Sequence, residues 1–160
     1  MEAFKQQEFD ATIGQINFIQ DNESQSSFGT LRGLHYQKGA YSQAKLVRVI
    51  KGEVLDVAVD LRKSSPTFGK HISVLLSDEN KRQLFIPRGF AHGFLVKSEI
   101  AIFTYKVDNI YAPNLRLLSY TMIWHWLSTG LLPILNLSCQ RKTSRQEPFG
   151  KQNILNRNPQ

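Results

Sequence analysis

An all-β fold, a sandwich or a barrel, is what this sequence predicts, and three observations predict it. Residues 53–61 alternate cleanly, with Leu55, Val57, Val59 and Leu61 on one side and Val54, Asp56, Ala58 and Asp60 on the other. Similar short segments recur at near-regular spacing. Glycine and proline punctuate them, a pattern that suits a sandwich or barrel rather than βαβ units.

The elements follow in order. Phe4, Phe9 and Ile13 fall near one helical face, so residues 4–13 read as a short helix ended by Gly14. From Ile16 the period changes. Residues 44–50 read as a strand, Lys51-Gly52 as a turn, 53–61 as the next strand and 64–69 as a loop. Further strands are expected at 71–76, 82–86, 93–96 and 100–106. There is no internal repeat and no low-complexity segment.

At 160 residues the chain suits one domain with a proper core, and its 41% apolar and 21% charged content is ordinary for a soluble protein. The single cysteine, Cys139, excludes an internal disulfide and fits a reducing compartment. The polar opening, Met1 to Glu8, predicts no signal peptide, and the expected location is cytoplasmic. The net charge of +7 is unevenly placed: residues 1–115 hold 14 Lys and Arg against 12 Asp and Glu, whereas residues 116–160 hold six against one. The body is nearly neutral, so a nucleic-acid partner is not expected. Residues 117–137 are apolar and carry Trp124 and Trp126, but His125, Ser128, Gly130 and Pro133 interrupt them. A membrane span is not expected, and the polar, aperiodic 138–160 reads as disordered.

Chemistry concentrates in two short stretches. Leu31-Arg32-Gly33-Leu34-His35-Tyr36-Gln37 sets a guanidinium and an imidazole three residues apart beside a glycine. Ile86-Pro87-Arg88-Gly89-Phe90-Ala91-His92-Gly93-Phe94 brings a second histidine, and Tyr105 lies in a later strand. An anion binder, a base of near-neutral pKa and a phenolic acid suit proton transfer beside a carbonyl on a phosphorylated substrate. Plainer readings stand beside this one. His35 would also serve as a hydrogen-bonded core histidine. Tyr105 shares a strand face with Ala101 and Phe103 and would serve in the core. Lys45 and Arg62 would serve as solvated strand charges. Asp56 and Asp60 either line the barrel or pair with cations, and neither is assigned a role.

With Gln20-Asp21-Asn22, Lys45-Leu46-Val47, Asp56 to Arg62, Ser65-Pro66-Thr67-Phe68-Gly69 and Asn80 to Leu84, these stretches resemble, in order and register, the dTDP-4-dehydrorhamnose 3,5-epimerase family over about residues 2–113. The resemblance implies a cupin-like jelly-roll barrel with a short N-terminal helix, in a domain spanning 1–115, followed by an atypical, divergent tail at 116–160. It implies a dTDP-linked 4-keto-6-deoxy sugar as substrate, epimerised at C3 and C5 through an enolate without cofactor or metal, in dTDP-L-rhamnose and hence polysaccharide biosynthesis. His35 matches the base and Tyr105 the opposing acid. Lys45 matches a residue near the developing enolate, and Arg32 a substrate-binding arginine. Glu2, Gln20, Asp21, Asn22 and His92 match further substrate contacts, and Tyr111 an aromatic that stacks on the thymine. The alternatives in the same fold are a single-site 3- or 5-epimerase, or an inactive sugar-nucleotide-binding remnant. A metal-dependent cupin is disfavoured, because His35 is followed by Tyr36-Gln37 rather than a second histidine two residues on, and His92 alone does not complete a ligand set.

Two departures qualify the match. The chain begins at the position of the family's first long helix. The preceding strands, an arginine for the diphosphate and part of the homodimer interface are therefore expected to be missing, leaving exposed sheet edges. After Tyr111-Ala112-Pro113 the likeness stops. A glutamate expected near Arg116 and a late Leu-Ser-x-Lys-Asp segment, whose aspartate orients the imidazole, are replaced by basic sequence. Residues 120–130 and 137–144 can be encoded so that a shifted reading frame restores family-like sequence. The expectation is a frameshifted tail with reduced or absent activity.

Overall fold

The computed structural model describes residues 2–112 and the backbone of 116–118. The elements run α1 (Gln6–Thr12), β1 (Gln20–Ser27), β2 (Leu31–Gln37), a 3-10 turn (Gly39–Tyr41), β3 (Lys45–Lys51), β4 (Glu53–Asp60), β5 (His71–Ser77), β6 (Gln83–Ile86), β7 (Phe90–Val96), β8 (Ile100–Val107) and β9 (Arg116–Leu118). They form two antiparallel sheets, ordered β1-β8-β3-β6 and β5-β4-β7-β2-β9. We call them the first and second sheet. Among the described strands, β1 and β6 end the first sheet, and β5 and β9 the second.

The sheets pack face to face. Val47, Val49, Ile86, Ala101 and Phe103 of the first sheet meet Val54, Ala58, Leu76, Phe94 and Val96 of the second in one buried cluster. Burying each of the larger side chains is worth roughly 1.5–3 kcal/mol. A second cluster of Leu34, Val57, Val59 and Ala91, flanked by Tyr36 and Leu61, lies on the opposite face of the second sheet. Both sides of β4 are therefore buried, and the side facing its partner sheet is the one that carries Asp56 and Asp60.

The outer face of the first sheet is covered by aromatic rings. Phe9 of α1 packs against Phe4, Phe18 and Phe85 with centroids 5.7, 5.3 and 5.5 Å away. The helix is shorter than the 4–13 expected, and Gly14 follows it at φ +112°, a conformation that side chains resist. Strand β7 begins at Phe90, three residues ahead of its expected start. The backbone of β9 pairs with β2, with His35 opposite Leu118. It thus lies beyond the expected boundary after residue 115. The expectations for the rest of the tail, including the span at 117–137, the disorder and the shifted frame, fall outside the described residues. Among those described, no helix is long and apolar enough to cross a membrane.

Candidate active site

Strand β2 carries the first device of the site. Simple alternation would send Arg32 and His35 to opposite faces, since they are three residues apart. The register shows otherwise: Arg32 lies opposite Phe94 and His35 opposite His92, with an irregularity between them. One extra residue is accommodated as a bulge at Gly33-Leu34. The bulge turns both Arg32 and His35 to the face that meets the other sheet and sends Leu34 into the cluster behind. It also explains Gly93. A Cβ there would stand 2.6 Å from the Arg32 carbonyl oxygen and 3.1 Å from Gly33 and Leu34 backbone atoms.

His35 is held at both ring nitrogens. Nδ1 lies 3.0 Å from the Gly33 carbonyl oxygen, which can only accept, so Nδ1 carries the proton and Nε2 the lone pair. Nε2 meets Lys45 Nζ at 3.1 Å. Lys45 reaches it from β3 in the opposite sheet and is only 8% exposed. A cation set against the lone pair of a base marks a place where a proton can be taken and the resulting negative charge neutralised.

Behind His35 stands His92 of β7, ring centroids 5.7 Å apart. Its Nε2 donates to Asp56 of β4, at 3.1 Å from Oδ1 and 2.9 Å from Oδ2, and both residues are buried. The His92 ring also stacks on Phe103 at 6.1 Å. Tyr105 of β8 shares the interior face of the first sheet with Asn22 of β1 and Val47 of β3, its direct register partners. Its ring lies 6.1 Å from Phe103. His35 and Tyr105 therefore face the interior from opposite sheets. Gln20 lies on the same face of β1 as Asn22 and donates to its Oδ1 at 2.6 Å. Arg32 is exposed, and its Nη2 reaches Ser26 Oγ of β1 at 3.5 Å.

Two of the expected site residues are placed elsewhere. Asp21 lies on the outer face of β1, where Lys106 Nζ binds both its oxygens at 2.8 and 2.9 Å and sits over the Phe4 ring. Glu2 is exposed beside Ala3, whose carbonyl accepts from Gln83 on that same outer side. Tyr111 is exposed just past β8, and the buried Gln37 side chain brackets it. Gln37 Nε2 donates to the Ile110 carbonyl at 3.1 Å, and its Oε1 accepts from the Ala112 N–H at 2.6 Å. Gln37 and Asp56 are the residues that sequence reasoning quoted without a role. A polar side chain inside an otherwise apolar strand pattern was the available signal for each.

Asp60 closes the neighbouring loop. Arg62 Nε and Nη2 grip its two oxygens at 2.9 and 2.8 Å, and the Ser65 and Thr67 hydroxyls each donate to Oδ2 at 2.6 Å. The Arg62 guanidinium holds this carboxyl well below the usual carboxylate range. Burial opposes that shift, while the two hydroxyls and the Arg62 N–H reinforce it. Arg62 lies 4.8 Å over the Phe90 ring, so its charge is structural. Among the described residues, no three His, Cys, Asp or Glu side chains converge as a metal-ligand set.

Two facing antiparallel sheets with ionisable side chains turned into the space between them define a β-sandwich or barrel class of protein. Comparison with known proteins narrows the class. The family model for dTDP-4-dehydrorhamnose 3,5-epimerase matches residues 1–125, past the point where the motifs end. The dTDP-4-dehydrorhamnose 3,5-epimerase of Shigella flexneri is 60% identical over 113 residues, covering 70% of this chain and 62% of that one. The crystal structure of the Elizabethkingia anophelis NUHP1 enzyme of that name superposes with a TM-score of 0.70 at 53% identity, covering 72% of this chain and 63% of its own. A dTDP-6-deoxy-D-glucose-3,5-epimerase from Legionella pneumophila Philadelphia 1, solved with dTDP-4-keto-L-rhamnose, gives 0.71 at 51% identity, covering 73% and 62%. The chain belongs to the dTDP-4-dehydrorhamnose 3,5-epimerase family, and its fold is the cupin-like jelly roll of that family. It spans about three fifths of the length of the relatives it matches.

Proposed function

We propose that this chain epimerises C3 and C5 of a dTDP-linked 4-keto-6-deoxy hexose, converting dTDP-4-dehydro-6-deoxy-D-glucose to dTDP-4-dehydro-L-rhamnose on the route to dTDP-L-rhamnose. The observation that carries the reading is the His35–Lys45 contact. His35 Nδ1 is committed to Gly33, so Nε2 is the basic atom, and Lys45 stands within 3.1 Å of it.

In the proposed reaction, His35 Nε2 takes the proton from the carbon beside the ketone. The C–H electron pair moves into the carbon framework, and the ketone oxygen becomes an enolate that Lys45 stabilises. Tyr105, facing from the other sheet, returns a proton to the opposite side of that carbon, and the enolate collapses to the ketone. His35 then gives its proton to solvent and Tyr105 takes one back, and with both groups restored the second carbon follows the same course. Arg32 suits the diphosphate, Gln20, Asn22 and His92 the sugar, and Tyr111 the thymine. Asp21 and Glu2, matched to further substrate contacts, sit on the outer side of the first sheet, apart from these groups. A cytoplasmic location and a homodimer complete the reading. The lone Cys139 supports the first, and the unpaired edges of β1, β5 and β6 offer pairing sites for the second.

The test is exchange in D₂O on the 4-keto sugar, followed by NMR. Deuterium at both C3 and C5, abolished by His35→Ala, is the expected result. Label at one carbon alone makes the protein a single-site epimerase. No label, with dTDP still bound, makes it a binding remnant and overturns the proposal.

A further inference from the structure

The Asp56–His92 pair is deeply buried, and one atom of it is unaccounted for. Asp56 is 0% exposed and His92 3%. Asp56 presents both oxygens to Nε2 of the ring, while His92 Nδ1 is buried with no hydrogen-bond partner. An imidazole nitrogen left bare in the interior costs about 1–3 kcal/mol, and a neutral apolar side chain in its place would cost nothing of the kind. Phe103 stacks on the ring, Phe94 lies 6.4 Å away and His35 stands 5.7 Å off, so aromatic neighbours and the Asp56 contact hold it in place.

We propose that Asp56 is a positioning residue that fixes the His92 tautomer, so that the Nδ1 lone pair is presented as an acceptor for a hydroxyl of the bound hexose. Resting on the functional reading above, the inference adds to it the sign of the contact that His92 makes and the residue that sets that sign. A carboxylate can only accept here, so Nε2 keeps the proton and Nδ1 of the neutral ring cannot donate. A ring so held discriminates for a sugar O–H and against a bare carbonyl at that position. A mismatched pair leaves two buried acceptors facing each other. The neighbouring His35 is set the opposite way, with Nδ1 protonated by its contact with Gly33. The two adjacent imidazoles thus carry opposite tautomers, each dictated by an acceptor that has no proton to give.

The test is nitrogen-proton correlation NMR on the full chain labelled in histidine, with His92 assigned by the signals lost in His92→Gln. The expected spectrum has Nε2 of His92 protonated and Nδ1 bare. Adding dTDP-glucose, an unreactive hexose, shifts the Nδ1 resonance, and dTDP alone leaves it in place. Asp56→Leu is expected to weaken dTDP-glucose binding about tenfold, the worth of one good buried hydrogen bond, without weakening dTDP. Asp56→Asn, whose amide oxygen still accepts from Nε2, restores most of that loss. A protonated Nδ1 in the native chain, an Nδ1 signal indifferent to the hexose, or equal loss of dTDP and dTDP-glucose affinity in Asp56→Leu each overturns the proposal. The titration of the unmutated chain decides the matter even where Asp56→Leu fails to fold. A protein that exchanges deuterium with a silent His92 strikes this inference alone. A responsive His92 in a protein that exchanges nothing strikes only the reaction.

Discussion

The space between the two sheets has an apolar half and a polar half, built on the same strands. Along β3, Val49 and Val47 give way to Lys45; along β7, Val96 and Phe94 give way to His92; along β4, Val54 gives way to Asp56. Val49, Val54, Val96, Ala101 and Phe103 are all buried and need no partner beyond one another. Lys45, Asp56 and His92 are buried too, yet each needs a specific counterpart. One half therefore contributes stability by area, and the other spends some of it on placement. The lesson is that the same burial value means two different things a few residues apart on one strand.

That division can be broken one half at a time. The largest separation is expected from His35→Ala, which should lower deuterium exchange by about 10²–10⁴-fold while a urea melt shifts little. Phe103→Ala is its counterpart. Removing the ring that stacks on Phe94 at 4.4 Å should cost about 3–5 kcal/mol in the same melt. Gly93→Ala tests the join between the halves. With the Arg32 carbonyl 2.6 Å from the new methyl, β2 must shift, at a cost of about 1–3 kcal/mol and with weaker exchange because His35 moves with it.

The acid limb sharpens the picture on the loop side. The Asp60 carboxyl is held below its unfolded-state value, so the unfolded chain binds its proton first as pH falls. Its contribution is complete above the ordinary carboxylate range and drains away as pH drops beneath that range. Asp60→Asn should therefore flatten the loss of stability on acidification, read as melting temperature against pH, and leave the neutral-pH exchange rate nearly unchanged. The smallest effect is expected at Gln37→Leu. Loosening the bracket around Tyr111 should raise KM a few-fold with kcat nearly unchanged, since it touches binding and not the reacting atoms.

Much of this was legible beforehand. The β4 alternation and the strands within residues 71–106 follow from period, and motif singles out His35, Arg32, Lys45 and Tyr105 as site candidates. What escaped did so for physical reasons. Strand β1, Gln20 to Ser27, has no apolar residue because it is an edge strand whose inner face lines a polar space. The bulge at Gly33 is invisible to a strict period of two, which would have separated Arg32 from His35. Polar residues in alternation normally face water, so Asp56 pointing inward contradicts the pattern until His92 is brought beside it by long-range pairing. Asp21, between Gln20 and Asn22 in sequence, lies on the opposite side of the strand from both, as period two requires.

The irregularity in β2 has one more effect. It lets a single strand serve two masters out of phase, because the residues before it and after it count inside and outside from different starting points. A chain that lost one codon at Gly33 would set Leu34 alone opposite Gly93, so that plain alternation keeps Arg32 and His35 on the inner face and Leu34 in the rear packing layer. Deleting the extra residue removes the irregularity without turning the imidazole.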